Sequence, residues 1–184
     1  EAAGIQTVIN LADSQETMEA YEGYADTYYA TLNVIGLDMG VDFAADDFNA
    51  KLKTGLEFML ANEGPYLIHC NEGKDRAGFV SALLEALMGG TLDEIVEDYM
   101  TSYENYYHVE KDSEQYDKIA ESNIMASLRS IAGLEEDASL NGVDLQAAAE
   151  TYLTETVGLS AEQVDALQAV LSGTAAGTET EQAA

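Results

Sequence analysis

His69-Cys70-Asn71-Glu72-Gly73-Lys74-Asp75-Arg76-Ala77-Gly78 places the chain's single cysteine six positions before an arginine, with a glycine between them. The flanking residues decide what this loop joins. Pro65-Tyr66-Leu67-Ile68 is short and apolar behind Gly64, which suits a buried strand, and the stretch from Arg76 to Met88 is apolar at helical spacing. A strand, a tight loop and a helix N-terminus make an anion site, because the first amide N–H groups of a helix have no partner within it. The amides of Asn71, Glu72, Gly73, Lys74, Asp75 and Arg76 can curl around phosphate oxygens, and the planar fork of Arg76 can hold two of them. Cys70 then lies beneath the phosphorus. Free cysteine titrates at about 8.5, and a helix N-terminus with neighbouring cations favours the thiolate, the nucleophilic form.

Outward from the loop, residues 5–11 predict a strand, and Asp13-Ser14-Gln15-Glu16 caps a helix running to about Tyr24. Residues 32–37 predict a second strand. Asp46 or Asp47 opens a helix whose Phe48, Leu52, Leu56, Met59 and Leu60 share one face, and Asn62-Glu63-Gly64-Pro65 stops it. This βαβαβα order implies an α/β fold, a mainly parallel central sheet flanked by helices, with sites at the carboxyl ends of the strands. Gly89-Gly90 break the chain, and Thr91-Leu92-Asp93-Glu94 is a capping box for a helix to about Tyr107. Ser113 starts a helix ending near Gly133, Asp144 one ending at Gly158, and Ser160-Ala161-Glu162-Gln163 caps the last. The chain divides into a folded unit over 1–172, of which 91–172 is its helical C-terminal part, and a tail over 173–184 too poor in apolar residues to pack.

Only seven of the 184 residues are Lys or Arg, and two of these, Lys74 and Arg76, lie in the loop; the formal net charge is −28. Such a field repels nucleic acid and anionic membranes until salt screens it beyond about 8 Å, while a small phosphate can still enter a local basic cup. No apolar run reaches about 18 residues, which argues against membrane insertion. One cysteine allows no internal disulfide. The chain opens at Glu1 and enters a strand almost at once, which suggests a processed or truncated chain, and the acidity suits a secreted or cell-surface setting.

His69-Cys70-x5-Arg76 resembles the signature of the cysteine-dependent protein tyrosine phosphatase superfamily, and Gly73-Lys74-Asp75-Arg76 its bacterial branch of tyrosine and dual-specificity enzymes. Gly4-Ile5-Gln6-Thr7-Val8-Ile9-Asn10-Leu11 is similar to that branch's early core strand, Glu97-Asp98-Tyr99-Met100 to the helix after the loop, and Tyr152-Leu153 through Gly158-Leu159-Ser160 to its C-terminal helices. The resemblance implies a phosphotyrosine phosphatase-like fold in which strands expected before Gly4 are missing. It also implies hydrolysis of phosphomonoesters through a cysteinyl phosphate on Cys70, without metal or other cofactor, acting on a phosphotyrosine-containing protein or a small phosphomonoester.

Two residues compete for the general acid. Asp75 lies inside the loop between two cations, and Asp38 lies 32 residues before Cys70, after a predicted strand. Asp42 shares that second loop and reads as an ordinary acidic residue. Asp38, Asp42, Asp46 and Asp47 lack the alternating spacing of a calcium loop. His69 fixes the loop through a ring hydrogen bond, and Lys74 faces the substrate or a second phosphate. The tyrosines at 21, 24, 28 and 29 and at 99, 103, 106 and 107 form two clusters that read as packed faces with hydroxyls at their rims. Ala77 departs from the Ser or Thr that the family carries after the arginine, which implies slower breakdown of the phosphoenzyme. The alternatives to a protein phosphatase are an inositol-phosphate or phosphoinositide phosphatase and a non-catalytic phosphate-binding module.

Overall fold

Thr7–Asn10 forms the first strand, β1, and all four of its residues are buried, as the middle strand of a covered sheet must be. A computed structural model describes residues 2–173; apart from Gly173, the tail expected over 173–184 lies outside the described residues. β1 is flanked by β2 (Asn33–Gly36) and β3 (Tyr66–His69) in the order β2-β1-β3, and both pairings are parallel. Val8 stands opposite Val34 and Leu67, and Asn10 opposite Gly36 and His69. Parallel neighbours require crossovers. The first runs through α1 (Gln15–Glu19) and two short 3-10 turns, Tyr24–Asp26 and Tyr29–Thr31, and the second through α2 (Asp46–Ala61). The mainly parallel α/β sheet expected from the sequence is therefore present.

Ile9 and Leu11 meet Leu37, Met39 and the apolar face of α2, where Phe48, Leu52, Leu56 and Met59 are each buried. Into the same core runs α3 (Arg76–Leu87), in which eight of twelve residues are buried. A helix apolar nearly all round is an interior helix, and α3 is enclosed by the sheet and by the helices that follow. Phe79 at its start stacks on Phe43 with centroids 4.5 Å apart and meets Phe48 edge-on at 5.5 Å.

The C-terminal part is helical: α4 (Leu92–Tyr107), α5 (Glu114–Ala120), α6 (Ala126–Ile131), α7 (Leu145–Thr151) and α8 (Ala161–Leu171). Thr91 and Ser160 close full capping boxes with Glu94 and Gln163. Three expectations are corrected. The first helix stops at Glu19, not near Tyr24, and gives way to the 3-10 turns. The helix expected from Ser113 to Gly133 has a π turn at Glu121–Met125, and the one from Asp144 to Gly158 has another at Tyr152–Thr156. As expected, α2 opens at Asp46, with Ala45 at its cap position and no side-chain bond there. Among the described residues no helix is long and apolar enough to cross a membrane.

Candidate active site

β3 ends at His69, Cys70 follows directly, and α3 begins at Arg76, so the predicted loop stands at the carboxyl edge of the sheet. Gly73 turns the chain with φ +78°, a conformation that a side chain resists. Among the described residues, none of the amides of Asn71 to Asp75 finds a backbone carbonyl partner. Asp75 occupies the cap position of α3 without bonding its side chain to the helix, so those donors stay open. Cys70 is half-buried and carries a free thiol.

Arg76 is held from the far side. Its Nη1 donates to the carbonyl oxygen of Met39 at 2.9 Å, and its Nε is buried with no hydrogen-bond partner. A buried guanidinium donor without an acceptor costs energy unless an anion supplies one. Met39 lies in the loop after β2 and is pinned there, its N–H donating to Leu11 O at 2.8 Å.

Lys74 does not project into solvent. Its Nζ lies 3.0 and 3.2 Å from the two carboxylate oxygens of Asp75 and 3.3 Å from Glu72 Oε2. The hydroxyl of Tyr107, the last residue of α4, donates to the same Glu72 oxygen at 2.7 Å. The bond to Asp75, and then the one to Glu72, hold Lys74 above its ordinary range against the opposing effect of burial. The Tyr107 hydrogen bond, followed by Lys74, holds Glu72 below the usual carboxylate range.

His69 is bonded at both ring nitrogens. Nε2 lies 2.8 Å from the Tyr29 hydroxyl and Nδ1 lies 3.3 Å from Cys70 O, an arrangement satisfied when Nδ1 carries the proton. Burial pushes the Tyr29 phenol up to about 12, so it stays a donor. Asp38 is exposed, in the left-handed region at φ 45°, with its carbonyl accepting from Lys51 Nζ at 2.7 Å and its N–H donating to Asp13 O at 3.1 Å. Its backbone is thus fixed, while its carboxylate has no partner among the described residues. Asp42 is exposed and accepts from Ala44 N–H at 3.2 Å, the ordinary loop role expected of it.

Behind the loop, α3 and α4 approach closely at Gly78, where a Cβ would lie 2.6 Å from Tyr99 Cε2. Beside this contact Glu85 and Asp98 share a cavity of about 40 Å³. Burial, followed by the charge of Asp98 and a hydrogen bond to it, pushes Glu85 up to about 8.

The structure thus gathers Cys70, Asn71, Glu72, Gly73, Lys74, Asp75 and Arg76 into one loop with His69 beneath it, and brings the Asp38 loop to it through Arg76. Sequence reasoning missed Met39, Tyr29 and Tyr107 as partners of the loop. Met39 acts through its carbonyl, which no side chain signals, and the two tyrosines were visible only as members of clusters. A comparison with curated proteins finds none that matches the chain. The profile of the tyrosine phosphatase family matches residues 1–173. That span takes in the sheet, the loop and every helix described above, and the chain belongs to the tyrosine phosphatase family.

Proposed function

We propose that the chain is a protein tyrosine or dual-specificity phosphatase that hydrolyses phosphomonoesters through a cysteinyl phosphate on Cys70. The observation that carries this reading is the buried, partnerless Nε of Arg76 in a loop whose amides are also unpaired. A tetrahedral phosphate offers acceptors to all of these donors at once. In the first step Cys70 Sγ attacks phosphorus, the S–P bond forms as the P–O bond to the leaving group breaks, and an acid protonates the departing oxygen. Water then attacks phosphorus, the S–P bond breaks, and inorganic phosphate leaves with the thiolate restored. Loop amides and Arg76 stabilise the charge that builds on the equatorial oxygens.

For the acid we favour Asp38. Its carboxylate is unengaged and it adjoins Met39, whose carbonyl holds Arg76, whereas both oxygens of Asp75 are bound to Lys74. Asp75 then braces the loop, and His69 positions it through Tyr29 and the Cys70 carbonyl. The test is hydrolysis of para-nitrophenyl phosphate across pH under reducing conditions, with Cys70→Ser in parallel. Turnover is expected in the wild type and absent in the variant, and Asp38→Asn is expected to flatten the alkaline fall in kcat that Asp75→Asn retains. Equal rates for wild type and Cys70→Ser overturn the reading.

A further inference from the structure

Lys74 lies beside the loop's arginine, where a free ammonium would engage a second phosphate on the substrate. The side chain is only 19% exposed, and carboxylates of Asp75 and Glu72 occupy its donors at 3.0 to 3.3 Å. Glu72 is itself held. Tyr107 donates to it at 2.7 Å, and the Tyr107 ring packs on Tyr103 and Tyr106 with centroids 5.6 and 4.9 Å away. Glu72, Lys74 and Asp75 together carry a net charge of about −1 at neutral pH. A second phosphoryl group therefore meets a carboxylate that a neighbouring helix anchors, and Arg76 is left as the loop's one cation not paired with a carboxylate.

We propose that Glu72, anchored by Tyr107, is the specificity-determining residue that confines the site to substrates carrying a single phosphate by keeping Lys74 from a second one. The proposal rests on the phosphatase reading above and narrows its substrate class. Discrimination of this kind comes from a repulsive element built against the competitor as much as from contacts with the favoured ligand.

The experiment uses one phosphotyrosine peptide made with and without a phosphate on the serine next to the tyrosine. Binding is measured by fluorescence anisotropy in the Cys70→Ser protein, and kcat/KM for tyrosine dephosphorylation is measured in the Cys70 enzyme. With Glu72 intact, the singly phosphorylated peptide is expected to bind at least fivefold more tightly. Glu72→Gln preserves shape and the Tyr107 bond while removing the charge. It is expected to shrink that gap at least threefold, chiefly by tightening the doubly phosphorylated peptide and lowering its KM, and Tyr107→Phe should shift the ratio less and in the same direction. If Glu72→Gln changes both peptides by one common factor, or if the protein with Glu72 intact prefers the doubly phosphorylated peptide, the proposal is overturned. Discriminating binding without any Cys70-dependent turnover removes the catalytic reading and leaves the specificity assignment standing.

Discussion

Glu85 offers a stability test that is independent of catalysis. Its carboxyl points from α3 toward Asp98 on α4 and is pushed from an ordinary 4.5 up to about 8 by burial and the Asp98 charge. Between those values the folded protein holds a proton that the unfolded chain has released. Stability therefore falls as pH rises through this window, and the full penalty is in place above it. At face value the shift is worth almost 5 kcal/mol, at about 1.4 kcal/mol per unit. Glu85 is only half-buried, and solvent screening brings this to roughly 2 kcal/mol. Glu85→Gln keeps the shape and removes the titration. The variant is expected to melt with the wild type at pH 5 and about 4–8 °C above it at pH 9, for a domain of this size. Thermal unfolding followed by circular dichroism at pH 5, 7 and 9 and constant ionic strength measures the difference, which also cancels the general repulsion of a very acidic chain. Asp98→Asn should move the melting point in the same direction. A Tm difference of equal size at pH 5 and pH 9 would refute the reasoning.

Arg76→Lys loses the planar fork and the bond to Met39 O, so kcat/KM for para-nitrophenyl phosphate should fall about 10²–10³-fold; a loss below tenfold would mean that the guanidinium does not carry phosphate. Gly78→Ala places a methyl 2.6 Å from a ring carbon of Tyr99 and should cost about 1–3 kcal/mol, seen as a Tm several degrees lower; an unchanged Tm would show that α4 yields freely. Ala77 is 4% exposed, which leaves more room for a hydroxyl than for the extra methyl of threonine. Ala77→Ser is therefore expected to raise steady-state turnover by speeding phosphoenzyme hydrolysis, and rapid-quench kinetics showing that step unchanged or slower would reject the idea.

The features legible in the sequence were those encoded within a few residues. The strand, loop and helix around Cys70 announced themselves through a short apolar run, Gly73 and a helical apolar period, and the boxes at Thr91 and Ser160 through polar residues three apart. The loop's supports span much longer separations: 37 residues from Arg76 to Met39, 35 from Tyr107 to Glu72 and 40 from Tyr29 to His69. No local period records such contacts. The first helix ends short of Tyr24 although Ala20 to Glu22 suit a helix, because Gly23 takes φ +80° and the chain turns so that Tyr29 reaches His69. The π turns escaped for a related reason. A single added residue leaves the composition of a helix unchanged, and its effect shows only in distant partners, as where Tyr152 donates to Asn49 Oδ1 at 2.8 Å.

The Tyr107–Glu72 bond also bears on how the protein can be observed. The chain has eleven tyrosines and no tryptophan, so its intrinsic ultraviolet emission comes from phenol rings alone. A phenol whose proton is shared with a carboxylate is quenched in the excited state, and Tyr107 is in that position at 2.7 Å. Any ligand that draws Glu72 away from Tyr107 restores the emission of a ring standing at the rim of the loop. Displacement of Glu72 from Tyr107 can then be followed optically in the native chain, without a label and without turnover.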